Sequence, residues 1–393
     1  MRKARNLDRN LVWDVGVVSV HKNGESLCGD QCLWERSEDG ARIILSDGMG
    51  SGVKANILST LTSTMLQTML SGNIPLEECV STVAATLPLR KDVQIAYATF
   101  TIASTRGRHV ELVQYDNPPA IFIHNGVAQR YNYSVRFAQE KELHESRLTF
   151  EPGDMVVMFS DGVAEAGRGT TTYEGWPQAD IEDFLARNSD PSLPAQRIAA
   201  RMYSTVEALD LGELHDDTTI AILRLRERSV VNIMIGPPEN KDDDLSTMRL
   251  FFAKEGKHVV CGGSTAKAVA KFLNQRVHVM PSSGDEPVPP MSEIRGVDLV
   301  TEGAVTLAAL TELLKAYKTD PLLTLELERR TDGAAALATL LMEEASEINI
   351  LFGNASNAAQ DDTEFSFENK FRLMQELQET LKAAGKRVKI SQC

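Results

Sequence analysis

The sequence lacks several features that commonly declare a function. It has no run of about eighteen apolar residues, so no segment is long enough to cross a bilayer as a helix. Positive charge is in deficit. The formal net charge is −14 over 393 residues, which argues against a sequence-independent hold on DNA or RNA, where lysine and arginine must displace counterions from phosphates. The five cysteines are scattered apart from Cys28 and Cys32, with no second Cys/His pair at zinc-like spacing. They read as reduced thiols rather than a metal clip or disulfide frame. The basic start, residues 1–10, runs into an apolar stretch broken by Asp14 and without a small-residue cleavage site, so it does not read as a signal peptide. No repeat with a period of about twenty to fifty residues is present. These absences point to a cytoplasmic protein with no nucleic-acid or membrane partner.

What remains is a globular composition, 42% hydrophobic and 24% charged, in a chain longer than one core usually supports. Two domains are expected, residues 1–227 and 228–393. In the first, short apolar or alternating stretches at 13–20, 42–46, 98–104, 109–115, 120–124 and 155–160 are bounded by Gly, Pro, Asn or Asp and predict strands. Helical spacing of Ile57, Leu58, Leu61, Met65, Leu66 and Met69 predicts a helix over 53–70, and 194–207 is a second candidate. Strand runs with a few amphipathic helices imply sheets packed together with helices outside.

After 224–228 the rhythm changes to alternating strand and helix. Strands are predicted at 230–236, 258–261, 297–300, 348–352 and 387–390, and helices at 245–254, 266–273, 305–317 and 368–384. This predicts a small doubly wound α/β domain with a mainly parallel sheet. The proline-rich piece 281–290 reads as an exposed loop.

Four acidic sites in the first domain share one setting, an Asp beside Gly or a second Asp at the end of a predicted strand: Gly29-Asp30, Asp47-Gly48, Asp161-Gly162 and Asp216-Asp217. Taken alone, each is most simply a turn. Taken together, strand-end carboxylates can converge on hard divalent cations, which prefer carboxylate, carbonyl and water oxygens.

The surroundings of these sites resemble the bacterial SpoIIE-like branch of the PP2C (PPM) phosphatases. Gly29-Asp30 matches the early acidic motif, and the run from Ser46 through Asp47, Gly48, Met49, Gly50, Ser51 and Gly52, followed by Ala55, matches the most distinctive one. Glu151-Pro152-Gly153-Asp154 with Phe159-Ser160-Asp161-Gly162-Val163-Ala164-Glu165 is similar to the third block, and Asp216-Asp217-Thr218-Thr219 to the fourth. The matches stand in family order over residues 13–225. The resemblance implies an α+β chain: an αββα PP2C-like sandwich followed by the small α/β domain. It implies a metal-dependent hydrolase for phosphoserine or phosphothreonine on a small regulatory phosphoprotein of the anti-sigma-factor-antagonist type. It also implies two Mn²⁺ or Mg²⁺ ions, with Asp47 and the Gly48 carbonyl at both, Asp161 and Asp216 completing one, and Asp30 serving the other directly or through water. Asp47, Asp161 and Asp216 would carry the catalysis, and whether Asp216 or Asp217 is the direct ligand stays open. Such ions would acidify a water and neutralise phosphoryl oxygens, so no protein nucleophile is needed.

Two departures stand out. Met49 occupies the place where many animal members carry a candidate general-acid His, as is usual in this branch, and Asp116-Asn117-Pro118-Pro119-Ala120 replaces Gly-His-Pro-Pro. The latter reads as a structural turn near the site. His215, beside Asp216, is more simply a surface or supporting residue than an acid. Two other function classes remain: a catalytically silent phosphoprotein-binding module, and a sensor or scaffold working through the second domain.

In that second domain Gly236-Pro237-Pro238, Gly262-Gly263-Ser264-Thr265, Thr301-Glu302-Gly303 and Gly353-Asn354-Ala355-Ser356 each follow a predicted strand. In a parallel sheet such loops share one edge, where an anionic small molecule can bind against helix N-termini. The simpler reading is that strand-to-helix loops need small residues for turns and caps. Neither GxxxxGKS/T nor GxGxxG occurs in residues 229–393.

Overall fold

The computed structural model describes residues 10–36, 40–86, 98–138, 141–237, 244–281, 289–353 and 367–392. The basic start (1–9), most of the proline-rich loop (282–288), Pro238 and residues 354–356 of the last small-residue loop lie outside the described residues. The chain divides into two compact units, Met1–Glu227 and Arg228–Cys393.

The first unit opens with β1 (Leu11–Val20), β2 (Asp30–Arg36) and β3 (Ala41–Gly48), then α1 (Gly52–Ser71) and α2 (Leu76–Thr86). There follow β4 (Ala98–Arg106), β5 (His109–Tyr115), β6 (Ile121–His124), β7 (Val127–Gln129), β8 (Ser134–Ala138), β9 (Lys141–Thr149) and β10 (Met155–Phe159). It closes with the single turn α3 (Asp161–Ala164), then α4 (Gln178–Arg187), α5 (Ala195–Leu209) and β11 (Thr218–Glu227). Two antiparallel sheets form, β1-β11-β10-β6-β7 and β2-β3-β4-β5-β9-β8. Their inner faces meet through Trp13, Ile43, Leu45, Leu112, Phe122, Phe150, Val156 and Leu223, all buried in one cluster. This is sheet-on-sheet packing, with side chains alternating along each strand between the two faces.

The alternate residues face the helices. Ile44, Phe100 and Ile102 pack against Leu58 and Leu66 of α1 and Cys79 and Val80 of α2. On the other outer face α5 lies against β1 and β11. Gln196 locks it there, accepting from the Val17 N–H at 2.9 Å and donating to the Val17 carbonyl at 3.0 Å. The order helix, sheet, sheet, helix is the expected αββα sandwich.

One buried charge pins the same side. Arg224, fully buried, donates to the carbonyls of Leu193 at 2.6 Å and Ser189 at 2.8 Å. Burial pulls its guanidinium down to about 10, and these carbonyls satisfy donors that would otherwise be stranded.

The second unit begins with β12 (Val230–Ile235), α6 (Asp244–Phe252), β13 (Lys257–Cys261), α7 (Gly263–Leu273), β14 (His278–Val279), β15 (Ser292–Glu293) and β16 (Leu299–Thr301). Then come α8 (Ala304–Thr319), α9 (Leu323–Leu327) and α10 (Gly333–Thr339), the last running into a π-turn over Leu340–Glu344. It ends with β17 (Glu347–Phe352), α11 (Phe367–Ala383) and β18 (Arg387–Gln392). The sheet order is β14-β15-β16-β13-β12-β17-β18. The five strands from β16 to β18 are parallel, while the short β14 and β15 join antiparallel. One face packs Met234, Val260 and Val300 on α6 and α7, and the other packs Ile233, Ile350 and Phe352 on α8 to α11. The sheet is doubly wound and mainly parallel, as its strand–helix alternation implies. Among the described residues no helix is long and apolar enough to cross a membrane.

Candidate active site

The acidic residues meet at one end of the sandwich because both sheets end there. Asp30 starts β2, and Asp47 lies in β3 directly opposite it in the antiparallel register. Asp161 follows β10, and Asp216-Asp217 precedes β11, strands that also pair with each other. Ser160 ties these two ends together: its N–H donates to the Thr219 carbonyl at 3.0 Å, and its hydroxyl accepts from the Thr219 N–H at 2.9 Å. The first sheet thus supplies Asp161, Asp216 and Asp217, and the second supplies Asp30 and Asp47.

Gly48 allows the close approach. A Cβ there would stand 2.0 Å from the Ala55 carbonyl oxygen, so only glycine lets β3 run under the start of α1. The following loop turns through Gly50 and Gly52 at φ of 92° and 68°, which suits glycine. It opens a pocket of about 350 Å³ whose lining includes Asp47, Asp161 and Asp216, with Lys22, Ser51 and Thr99.

The carboxyl groups strain against one another. Burial, then the charges of Asp30, Asp161 and Asp216, push Asp47 up to about 9. Asp47 and Asp161 face each other closely enough to share a hydrogen bond, which a carboxyl pair makes only with a proton between them. Asp161 is raised by burial and by Asp216, and Asp216 by burial, against relief from the Asp217 N–H and Lys22. Asp30 rises to about 7 through burial and the nearby Asp217, although the Ser160 and Thr219 hydroxyls favour its charged form. A group of carboxyls that resist ionising together is a site waiting for positive charge.

The structure separates the two members of the Asp216-Asp217 pair. Asp216 lines the pocket, and one of its oxygens accepts the Asp217 N–H at 2.8 Å. Asp217 is buried beside Asp30; its Oδ1 accepts the Lys22 N–H at 3.0 Å. The Oδ2 atoms of Asp30 and Asp217 are both buried and have no hydrogen-bond partner. Among the described residues no group of three or more His, Cys, Asp or Glu side chains stands close enough to hold a metal ion as placed. The donors nonetheless fit a hard divalent cation, being oxygen only, crowded, and including two stranded carboxylate oxygens.

Cys28 and Cys32 are free thiols, pushed up to about 12 chiefly by burial, and so poor thiolate ligands. His215 is turned to Asp210, its Nδ1 3.4 Å from Asp210 Oδ1, and its side chain is 55% exposed. Asp154 of the third block is structural: buried, it accepts from the Glu151 N–H at 2.7 Å, the Asn125 N–H at 3.2 Å and His124 Nδ1 at 2.7 Å. Asn117, in the expected turn, hydrogen-bonds the hydroxyls of Thr99 and Thr101 on β4. Lys22, Thr99, Ser160 and Thr219 escape sequence reading as site residues, since nothing local marks a loop lysine or a strand threonine.

Residues 37–226 match the family described as Stage II sporulation protein E (SpoIIE). The first unit matches the SpoIIE family over most of its length. Asp30 precedes the matched range. Stage II sporulation protein E of Priestia megaterium is 26% identical over 225 residues, covering 56% of this chain and 37% of that protein. The phosphoserine phosphatase RsbU of Bacillus subtilis is 20% identical over 217 residues, covering 54% of this chain and 63% of its own length. The match thus spans less than two thirds of either relative. A solved phosphatase domain of Bacillus subtilis SpoIIE, with a fragment of its regulatory domain, aligns at a TM-score of 0.47 and 18% identity, covering 56% of this chain and 63% of that one.

Proposed function

We propose that the chain is a metal-dependent protein phosphatase acting on phosphoserine or phosphothreonine. The observation that carries this is the convergence of carboxylates from both sheets on one pocket, where burial and mutual repulsion hold Asp47 well above its ordinary range. In this reading Asp47, Asp161, Asp216 and the Gly48 carbonyl hold two Mn²⁺ or Mg²⁺ ions, with Asp30 and Asp217 in the deeper part. Of the Asp216-Asp217 pair, Asp216 is the direct ligand because it faces the pocket. When bound, the ions supply a more acidic water and charge to offset the phosphoryl oxygens. Lys22, on the pocket wall, offers a cation to the same oxygens. Ser160 and Thr219 hold Asp30 in place and favour its ionised form. Met49 has no proton to transfer, so in this reading the departing serine or threonine oxygen takes its proton from a water or from another group at the site.

The substrate in this reading is a small regulatory phosphoprotein. The naming of one relative as a phosphoserine phosphatase supports the bond cleaved, and a pocket open at the end of a sandwich admits a side chain presented by a folded partner. The test is release of phosphate from a phosphoserine peptide with Mn²⁺, by wild type and by Asp47→Asn. Turnover by wild type alone supports the enzyme; binding of phosphopeptide without turnover in either replaces it with a silent binding module. Comparing phosphoproteomes of wild-type and Asp47→Ala strains then identifies the partner.

A further inference from the structure

The second unit carries its own pocket, about 390 Å³, at the carboxyl edge of the parallel strands. That is within the range of roughly 300–1,000 Å³ typical of small-molecule sites. The first described residues after β12, β13, β16 and β17 line it, Gly236, Gly262, Glu302 and Gly353 among them. They meet because α6 and α7 leave toward one face of the sheet while α8 to α11 cover the other, which opens a crevice between diverging connections.

Its two sides differ chemically. On one side stand Ile235, Leu307, Phe352 and Met374. On the other is the start of α7, where Gly262 provides no side-chain cap and the first intrahelical bond is made by the Ala266 N–H, 2.8 Å from the Gly262 carbonyl. The N–H groups of Gly263, Ser264 and Thr265 are thereby left without a helical acceptor, at the positive end of the helix. An independent observation points to a ligand. Thr265 is fully buried and lines the pocket, yet its Oγ1 has no hydrogen-bond partner. A buried hydroxyl of this kind is normally satisfied. Lys267, also on the lining, is exposed and makes no ion pair among the described residues.

Glu302 is the opposing charge. Its Oε2 accepts the Gly303 N–H at 3.0 Å, and its Oε1 would be 3.0 Å from a Cβ on Gly263. A carboxylate so placed disfavours a bare anion and favours one that also brings hydroxyl donors. We propose that the pocket binds a small nucleoside phosphate, its phosphate on the α7 N-terminus and the Thr265 hydroxyl, its sugar hydroxyls toward Glu302, and its base on the apolar side. This is independent of the phosphatase reading of the first unit.

The test is calorimetric titration of the full chain in chelator with nucleoside mono-, di- and triphosphates of the common bases, with adenosine, ribose 5-phosphate and inorganic phosphate as further arms. Saturable binding of at least one nucleotide is expected, with the three fragments each weaker by about tenfold or more, since both halves of the site contribute. Thr265→Val, which keeps the shape and removes the hydroxyl, should weaken binding about tenfold, as for a lost hydrogen bond to a charged group. Gly263→Asp should weaken it further while leaving hydrolysis by the first unit unchanged. No saturable binding by any nucleotide, or wild-type affinity in both variants, would overturn the site. Equal binding of ribose 5-phosphate would overturn the seat of the base.

Discussion

Asp30 and Asp47 stand directly opposite each other in the antiparallel pair of β2 and β3. Like charges at such positions destabilise a sheet, and here they lie at its end, beside Asp161, Asp216 and Asp217. The arrangement sacrifices stability unless positive charge is supplied, and this governs the predictions for the first unit.

Hydrolysis of a phosphoserine peptide should require Mn²⁺ or Mg²⁺ and disappear in excess chelator, returning when metal is restored. Full turnover in chelator, with metal loss confirmed by elemental analysis, would end the metal-dependent reading.

Asp47→Asn and Asp161→Asn should each lower kcat by several orders of magnitude with little change in the folded state, because the amide keeps the shape and loses the charge. Cys28→Ser and Cys32→Ser should leave activity close to wild type, their thiols being half-buried and protonated. The reverse pattern in steady-state kinetics would place the site elsewhere.

In chelator, thermal stability of the first unit should fall as pH rises from about 5 to 9. The ordinary carboxyl value is 3.8, while Asp30 and Asp47 sit at about 7 and about 9 in the folded chain. Between these values the folded chain binds more protons than the unfolded chain, so unfolding becomes easier with each step up in pH. Added Mn²⁺ should raise the melting temperature, and more at pH 8 than at pH 5, where protons compete for the same oxygens. A melting temperature that climbs with pH in chelator would contradict this.

Gly162→Ala should destabilise the first unit by about 1–3 kcal/mol or more, as overpacking does, because its Cβ would fall 2.2 Å from the Asp217 carbonyl oxygen. Activity should fall as well, since relief must move Asp161 or Asp217. Chemical denaturation and phosphate-release assays of the same preparation separate the two effects, and a variant as stable and active as wild type would show that the contact yields freely.

The sequence by itself singled out the aspartates that the structure brings together, and the class of fold that carries them. An Asp-Gly or Asp-Asp at a strand end is a local feature, and apolar periodicity reports burial wherever one face of an element differs from the other. Reading the sequence for strands left out 30–36, 127–129, 134–138, 141–149 and 218–227, and the two-residue strands 278–279 and 292–293. In β9 the cause is a charged, part-exposed strand, KELHESRLT; in β11 it is an unbroken buried run, which periodicity cannot tell from a helix. Helices 323–327 and 333–339 are short, and the second is rich in small residues, so neither shows a clear stripe.

Only the tertiary structure decided which aspartates face which. Asp216 and Asp217 are neighbours in the chain, but at the entry to an extended strand consecutive side chains point to opposite sides, so one reaches the pocket and the other lies beside Asp30. Registry between β2 and β3 set Asp30 against Asp47, and the ends of two different sheets brought Lys22, Ser160 and Thr219 to the same place. His215, adjacent to Asp216 in sequence, was turned away to Asp210. Registry, strand direction and sheet packing arise from contacts between residues as much as two hundred positions apart, such as Ser19 with Thr219, and no local pattern encodes them.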